Sequence, residues 1–148
     1  MFHNINCKDR ILEWRLWRKT LDTMSWQDCL TEVNNSWSLA PRVNHYLIPD
    51  MVEDWPTPWE LINDNIYCDL AVSLGIYYTL SLTDHILADT AQLEIYKTTN
   101  GWINLCSVEQ GLYMLNYSPF SIVNKSIFPI KERPTFIYSK VELANKLH

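Results

Sequence analysis

The stretch Trp55-Pro56-Thr57-Pro58-Trp59-Glu60-Leu61-Ile62, running on through Tyr67-Cys68-Asp69 to Leu74-Gly75-Ile76, decides how this chain is read. Thr57 is placed as an N-cap, Pro58 occupies the first helical position where its missing N–H costs nothing, and Glu60 stands where it closes a capping box. The pattern predicts helix over 57 to 64 and 66 to 74, with Gly75 as its C-cap. Cys68 then falls in the first turn of the second half. A thiol there is either a nucleophile or core filling, and the choice bears on function.

Upstream, Ile11, Trp14, Trp17, Leu21 and Met24 recur at helical spacing and predict an amphipathic helix over 9 to 24. Ser25, with Asp28 at the third position, opens a second helix that carries Trp26, Cys29, Leu30, Val33 and Trp37 and stops at Pro41. Residues 42 to 54 read as a loop or short helix. Downstream the period changes: strands are expected at Ile76–Leu82, Gln92–Thr98, Trp102–Cys106 and Leu112–Tyr117. Weaker strands are expected at Phe120–Val123 and Thr135–Tyr138, and a closing helix at Val141–Leu147. Asn100-Gly101 suggests a type I′ hairpin turn. Helices followed by a mostly antiparallel sheet of four or five strands, with a short C-terminal helix, is the α+β pattern.

At 148 residues the chain is expected to be one domain, 1–148, in three parts: helical 1–54, helix plus sheet 55–117, and C-terminal strands and helix 118–148. Three glycines leave no phosphate-binding loop of the GxxxxGK or GxGxxG kind. The net charge of −5 is uneven: +2 over residues 1 to 24, −10 over 25 to 111 and +3 beyond. The acidic middle argues against nucleic-acid binding there and for a cationic protein partner. Cys7, Cys29, Cys68 and Cys106 show no metal-ligand spacing, so no metal or other cofactor is expected, and free thiols in a reducing compartment are preferred to disulfides. No apolar run is long enough for a membrane helix.

Nucleophilic chemistry needs a stabilised thiolate, a base and a group to orient the base. The residues that could supply these are Cys68, His85 and Asn116, the last within Leu115-Asn116-Tyr117. Asp64 and Asp69 flank the thiol and oppose its ionisation. His45 has no evident partner.

The run from Trp55 to Asn116 resembles the bacterial transglutaminase-like cysteine proteinases. That family shows a Trp-x-Thr-Pro-x-Glu-x-Leu stretch, a Gly-Asp-Cys-Glu-Asp-x-Ala helix, a later histidine on one strand and a Leu-Asp-Asn on the next. The resemblance implies the nucleophile's position for Cys68 and the orienting acid's for Asn116. The pattern departs in four places. Ile66-Tyr67 replaces Gly-Asp, Asp69 stands one place early, the helix after Cys68 reads about two turns short, and Gln92–Thr98, expected to bring the histidine, begins without one.

A chain that starts at Met1, rich in Trp, Tyr, Asn and Ile, also resembles in style the small uncharacterised proteins of tailed bacteriophages. Together these imply a phage-type protein, in the host cytoplasm or the virion, that binds another protein on a catalytically inactive transglutaminase-like fold. The alternative is an active cysteine hydrolase or acyltransferase using Cys68, His85 and Asn116.

Overall fold

Local caps start the helices where the sequence places them. The computed structural model describes residues Phe2 to Leu147. Asn6 accepts from the Asp9 N–H at 3.3 Å to open α1 (Cys7–Leu21), and Ser25 accepts from Asp28 at 3.1 Å to open α2 (Trp26–Ser38). The capping box of α3 (Pro58–Asp64) forms in both directions: Thr57 Oγ1 accepts from Glu60 N at 3.3 Å, and Glu60 Oε1 accepts from Thr57 N at 3.0 Å. Asn65, with φ 53°, ends α3 in the left-handed region. Helix resumes at Asp69 as α4, so the two halves are separate helices with Cys68 between them as the N-cap residue.

Helix α4 runs from Asp69 to Ser81, two turns past the expected stop. Gly75 is therefore not a C-cap, and Ile76–Leu82 is not a strand. Every residue from Leu70 to Leu80 is buried, so α4 has no solvent face to give it an amphipathic period. Burial on all sides overrides the strand preference of Ile76-Tyr77-Tyr78-Thr79. Gly75 has a packing role instead: a Cβ there would lie 2.6 Å from two ring atoms of Trp37. The bare backbone lets that indole lie flat on the helix. Trp37 Nε1 and Trp14 Nε1 both donate to Thr79 Oγ1, at 3.1 and 3.2 Å, and Thr79 donates in turn to Gly75 O at 2.7 Å. One hydroxyl thus uses its full capacity to join α1, α2 and α4.

The sheet is antiparallel, in the order β4-β3-β2-β1-β5, with β1 Gln92–Thr98, β2 Gly101–Val108, β3 Tyr113–Ser118, β4 Ser121–Asn124 and β5 Phe136–Tyr138. A single turn of helix, α5 (Lys140–Leu143), follows. The α+β class expected from the sequence is the fold observed. Gly101 takes φ 115° while Asn100 is not among the positive-φ residues, so the β1–β2 hairpin closes without the type I′ geometry expected of Asn-Gly. Leu93, Ile95, Cys106, Val108 and Leu115 face α4. Tyr96, Leu105 and Met114 form a smaller core on the other face, under Phe128.

The N-terminal segment is tied down by Arg10, whose guanidinium donates to Ile62 O at 3.3 Å and Asn63 O at 2.7 Å, satisfying carbonyls at the end of α3. Ahead of it His3 sits among Phe2, Trp37 and Tyr67, with ring centroids at 4.0, 5.0 and 5.2 Å, and neither ring nitrogen has a hydrogen-bond partner.

Two outcomes follow from this packing. Thr79→Val keeps the shape but leaves two buried indole N–H groups unpaired, and urea unfolding is expected to show a loss of about 2–4 kcal/mol. A variant within about 0.5 kcal/mol of wild type would contradict the node. Burial lowers the pKa of His3 from 6.5 to about 4. A depressed folded pKa means that its stabilising contribution is complete above the unfolded value and is lost as pH falls from 6.5 toward 4. The full window is worth at most about 3 kcal/mol. Comparing unfolding at about pH 7.5 and about pH 4.5, His3→Phe should lose less stability than wild type, and equal losses would refute the assignment.

Candidate functional site at the start of α4

Cys68 has extended dihedrals, φ −82° and ψ 174°, and its side chain caps nothing. The thiol is buried, with 1% of the residue exposed. Asp69, the first residue of α4, carries a carboxylate at the positive end of its own helix. Asn104 Nδ2 on β2 donates to Asp69 Oδ2 at 3.0 Å, and Asn116 Nδ2 on β3 donates to Asp69 Oδ1 at 3.3 Å. The carboxylate accepts only, so it dictates which way the Asn104 amide faces. Asn104 Oδ1 is left buried without a partner.

Asn116 reaches this place through a break in strand alternation. Leu115 faces α4, and a regular strand would turn Asn116 to the opposite side. The β3–β4 register shifts between Met114 and Ser118, and Asn116 takes φ 70°, which aims its amide back toward the helix. There its two N–H hydrogens are shared among Ser73 Oγ at 2.8 Å, Asn104 O at 3.0 Å, and the backbone and side-chain oxygens of Asp69. Ser73 Oγ donates to Asn104 O at 2.6 Å, and Asn34 Oδ1 on α2 accepts from the Asn116 N–H at 3.0 Å. The network locks α2, α4, β2 and β3 around the helix start.

Beside it opens a cleft of about 290 Å³, lined by His45, Leu47, Ile48, Leu70, Trp102 and Asn104. Its outer wall is the 42–49 loop, held by Val43 N to Tyr67 O at 2.9 Å, Tyr46 OH to Ile66 O at 2.7 Å, Trp55 Nε1 to Ile48 O at 2.9 Å and Tyr138 OH to Pro49 O at 2.7 Å. Trp55, from the stretch that announces α3, is thus also a fastener of this wall. Burial lowers the pKa of Arg42 on the same loop, while Asp69 and Cys68 act on it in the opposite sense.

Cys68 and Asn116 therefore meet at the same end of α4. His85 follows the other end, about 20 Å of helix away. Its Nε2 pairs with Leu21 O at 2.8 Å and its ring lies 5.5 Å from Trp26, so it fastens the end of α1. Among the described residues the Cys68 thiol has no hydrogen-bonded histidine. Asn104 is the residue that sequence reasoning missed, and His45, which the sequence leaves without a partner, lines the same cleft. Trp102-x-Asn104-x-Cys106 carries a readable signal, an amide on the apolar face of a strand, whereas His45 arrives through the path of a loop. All four cysteines are free. Burial pushes Cys29 up to about 12 and also raises Cys106, while Cys7 is exposed.

The amide at 116 is required by its carboxylate partner. Asn116→Asp would set a second carboxylate about 3.3 Å from Asp69. Two such groups share a proton, so the pair's folded pKa rises above the unfolded value. Stability should fall by about 2–4 kcal/mol at neutral pH and recover on acidification below about pH 5. Thermal unfolding across that range tests it, and a wild-type melting temperature at neutral pH would refute it.

No family model matches the chain, and no curated protein matches it. Solved structures do. Legionella pneumophila LapG in a calcium-bound form superposes with a TM-score of 0.72 at 15% identity, covering 92% of this chain and 77% of that one. A second LapG structure gives 0.72 at 16% identity, covering 90% and 75%. The calcium belongs to LapG; here both Asp69 oxygens accept amide hydrogens, and among the described residues no three His, Cys, Asp or Glu side chains come together to hold a metal. Among those residues no helix is long and apolar enough to cross a membrane. The similarity to bacterial LapG lends no support to the bacteriophage expectation. At this level of identity it shows the fold alone.

Proposed function

We propose that the chain acts through the cleft at the Cys68 end of α4, where it binds a segment of another protein, on a transglutaminase-like fold whose cysteine is not armed for catalysis. The observation that carries this reading is Asn104. In the family pattern the histidine strand comes directly before the Leu-Asp-Asn strand. With Leu115-Asn116-Tyr117 on β3, the strand directly before it is β2 and not Gln92–Thr98 (β1), where the sequence alone places the histidine, and the β2 side chain that meets the start of α4 is Asn104, bonded to Asp69. An amide cannot take the thiol proton, and among the described residues no imidazole is hydrogen-bonded to the buried thiol. What the site does offer is an unpaired buried acceptor, Asn104 Oδ1, and the apolar walls of Trp102, Leu47 and Ile48. The net charge of −10 across residues 25 to 111 suits a partner with cationic side chains.

A second reading, acyl transfer or hydrolysis at Cys68, draws on two observations. The run from Trp55 to Asn116 resembles the transglutaminase-like cysteine proteinases, and His45 lines the same cleft as Asn104. In that reading a movement of the 42–49 loop would bring His45 to the thiol as its base.

Alkylation of a Cys7→Ser background at neutral pH, mapped by peptide mass, separates the two. Binding without catalysis predicts that Cys68 is protected in the native protein and modified after denaturation. Rapid native labelling of Cys68 that is lost in His45→Ala would establish the second reading instead. A photo-reactive residue at Ile48, on the cleft wall, should give a discrete protein adduct in a bacterial lysate that disappears in Trp102→Ala. The same residue at exposed Val141 should not, and identical adducts from both positions would refute cleft binding.

A further inference from the structure

The sheet face turned away from α4 holds a second cavity, of about 460 Å³, within the range of small-molecule sites. Glu94 on β1 lines it although the residue is only 6% exposed. Its carboxylate has neutral partners alone: Tyr96 OH donates to Oε1 at 2.6 Å and Gln92 Nε2 to Oε2 at 3.3 Å. Among the described residues the single ion pair is Lys140–Asp89, so Glu94 has no cation. A carboxylate whose partners are all neutral is open to a charge-assisted hydrogen bond from a cation.

One buried polar group on this face, outside the lining of the cavity, has no partner. Ser107 lies across from Gln92 on one side and Met114 on the other, is fully buried, and its Oγ has no partner. Gly111, with φ 86°, presents bare backbone, and a Cβ there would lie 3.9 Å from Glu94 Oε2 and 3.9 Å from Lys125 Cδ. The walls are apolar, from Met114, Phe128, Ile130 and Ile137. Exposed Lys125, Lys131 and Arg133 line the same cavity, against one acid, Glu132. Negative charge is thus buried in the sheet face, positive charge is exposed, and apolar surface lies between them.

We propose that this cavity binds a small zwitterion of the amino-acid type with an apolar side chain, its ammonium on Glu94 and its carboxylate on Lys131 and Arg133. The ammonium supplies the missing cation, and the carboxylate pairs with the exposed bases in bidentate or point-charge fashion. The site is separate from the Cys68 cleft and does not rest on it.

Isothermal titration of the full chain with L-leucine, 3-methylbutylamine and 4-methylpentanoate tests the charge requirement at each end. Leucine should bind about tenfold tighter or more than either single-charge analogue. Glu94→Gln should weaken leucine by about tenfold or more and leave 4-methylpentanoate unchanged. The exposed double variant Lys131→Gln with Arg133→Gln should weaken leucine and leave the amine unchanged, and it keeps the test open if Glu94→Gln fails to fold. No heat with leucine at millimolar concentration, leucine no tighter than the amine, or leucine affinity unchanged by the double variant would each overturn the proposal.

Discussion

The hydroxyl of Thr79 is the point on which the packing of this protein turns. Two tryptophans from different helices bring their indole N–H groups to it, and it passes its own hydrogen to the Gly75 carbonyl one turn earlier. The arrangement needs a residue without a side chain at 75, because Trp37 occupies the space that a Cβ would take. It also needs α4 to be buried on every side, since an indole from α1 and another from α2 approach the same residue. Trp14 and Trp37 are fully buried, and the single hydroxyl satisfies both of their indole N–H groups.

With α4 held in this way, its N-terminus is presented to β2 and β3 at a fixed height. A carboxylate at that helix end meets two amides, one on each strand, and the strand carrying Asn116 breaks its alternation to deliver the second. A left-handed asparagine inside a strand is sparsely populated, and such geometry persists where its surroundings over-determine it. Here the surroundings are Asn34, Ser73, Asp69 and Asn104. The fold shared with LapG thus ends, in this chain, in an amide and carboxylate lock beside a buried thiol.

Much of the first half was readable from local rules. Thr57-Pro58-Trp59-Glu60 forms its capping box because every partner lies within three residues. Ser25 caps α2 for the same reason, and the expected strands from Gln92 onward appear within a residue or two of their limits. The failures are equally physical. Ile76 to Leu82 has strand composition, and Gly75 has the look of a stop, but both were judged without Trp37, which lies more than thirty residues away. Cys68 and Asn116 do come to one end of α4, while His85, close in sequence to the strands, is carried to the far end by a helix longer than its composition suggests.

Residue types and short-range spacing were enough to settle the α+β class, the start of α3, the absence of a glycine-rich phosphate loop and the positions of the hairpin strands. Each depends on groups a few residues apart, or on counts along the chain. The length of α4, the burial of Cys68, the turning of Asn116 toward Asp69 and the placing of His45 and Asn104 on one cleft depend on contacts between segments distant in sequence. Those contacts exist only after the chain has closed. Burial then outweighs a propensity worth a fraction of a kcal/mol per residue, so the folded packing, and not the local preference, sets which side chains share the cleft.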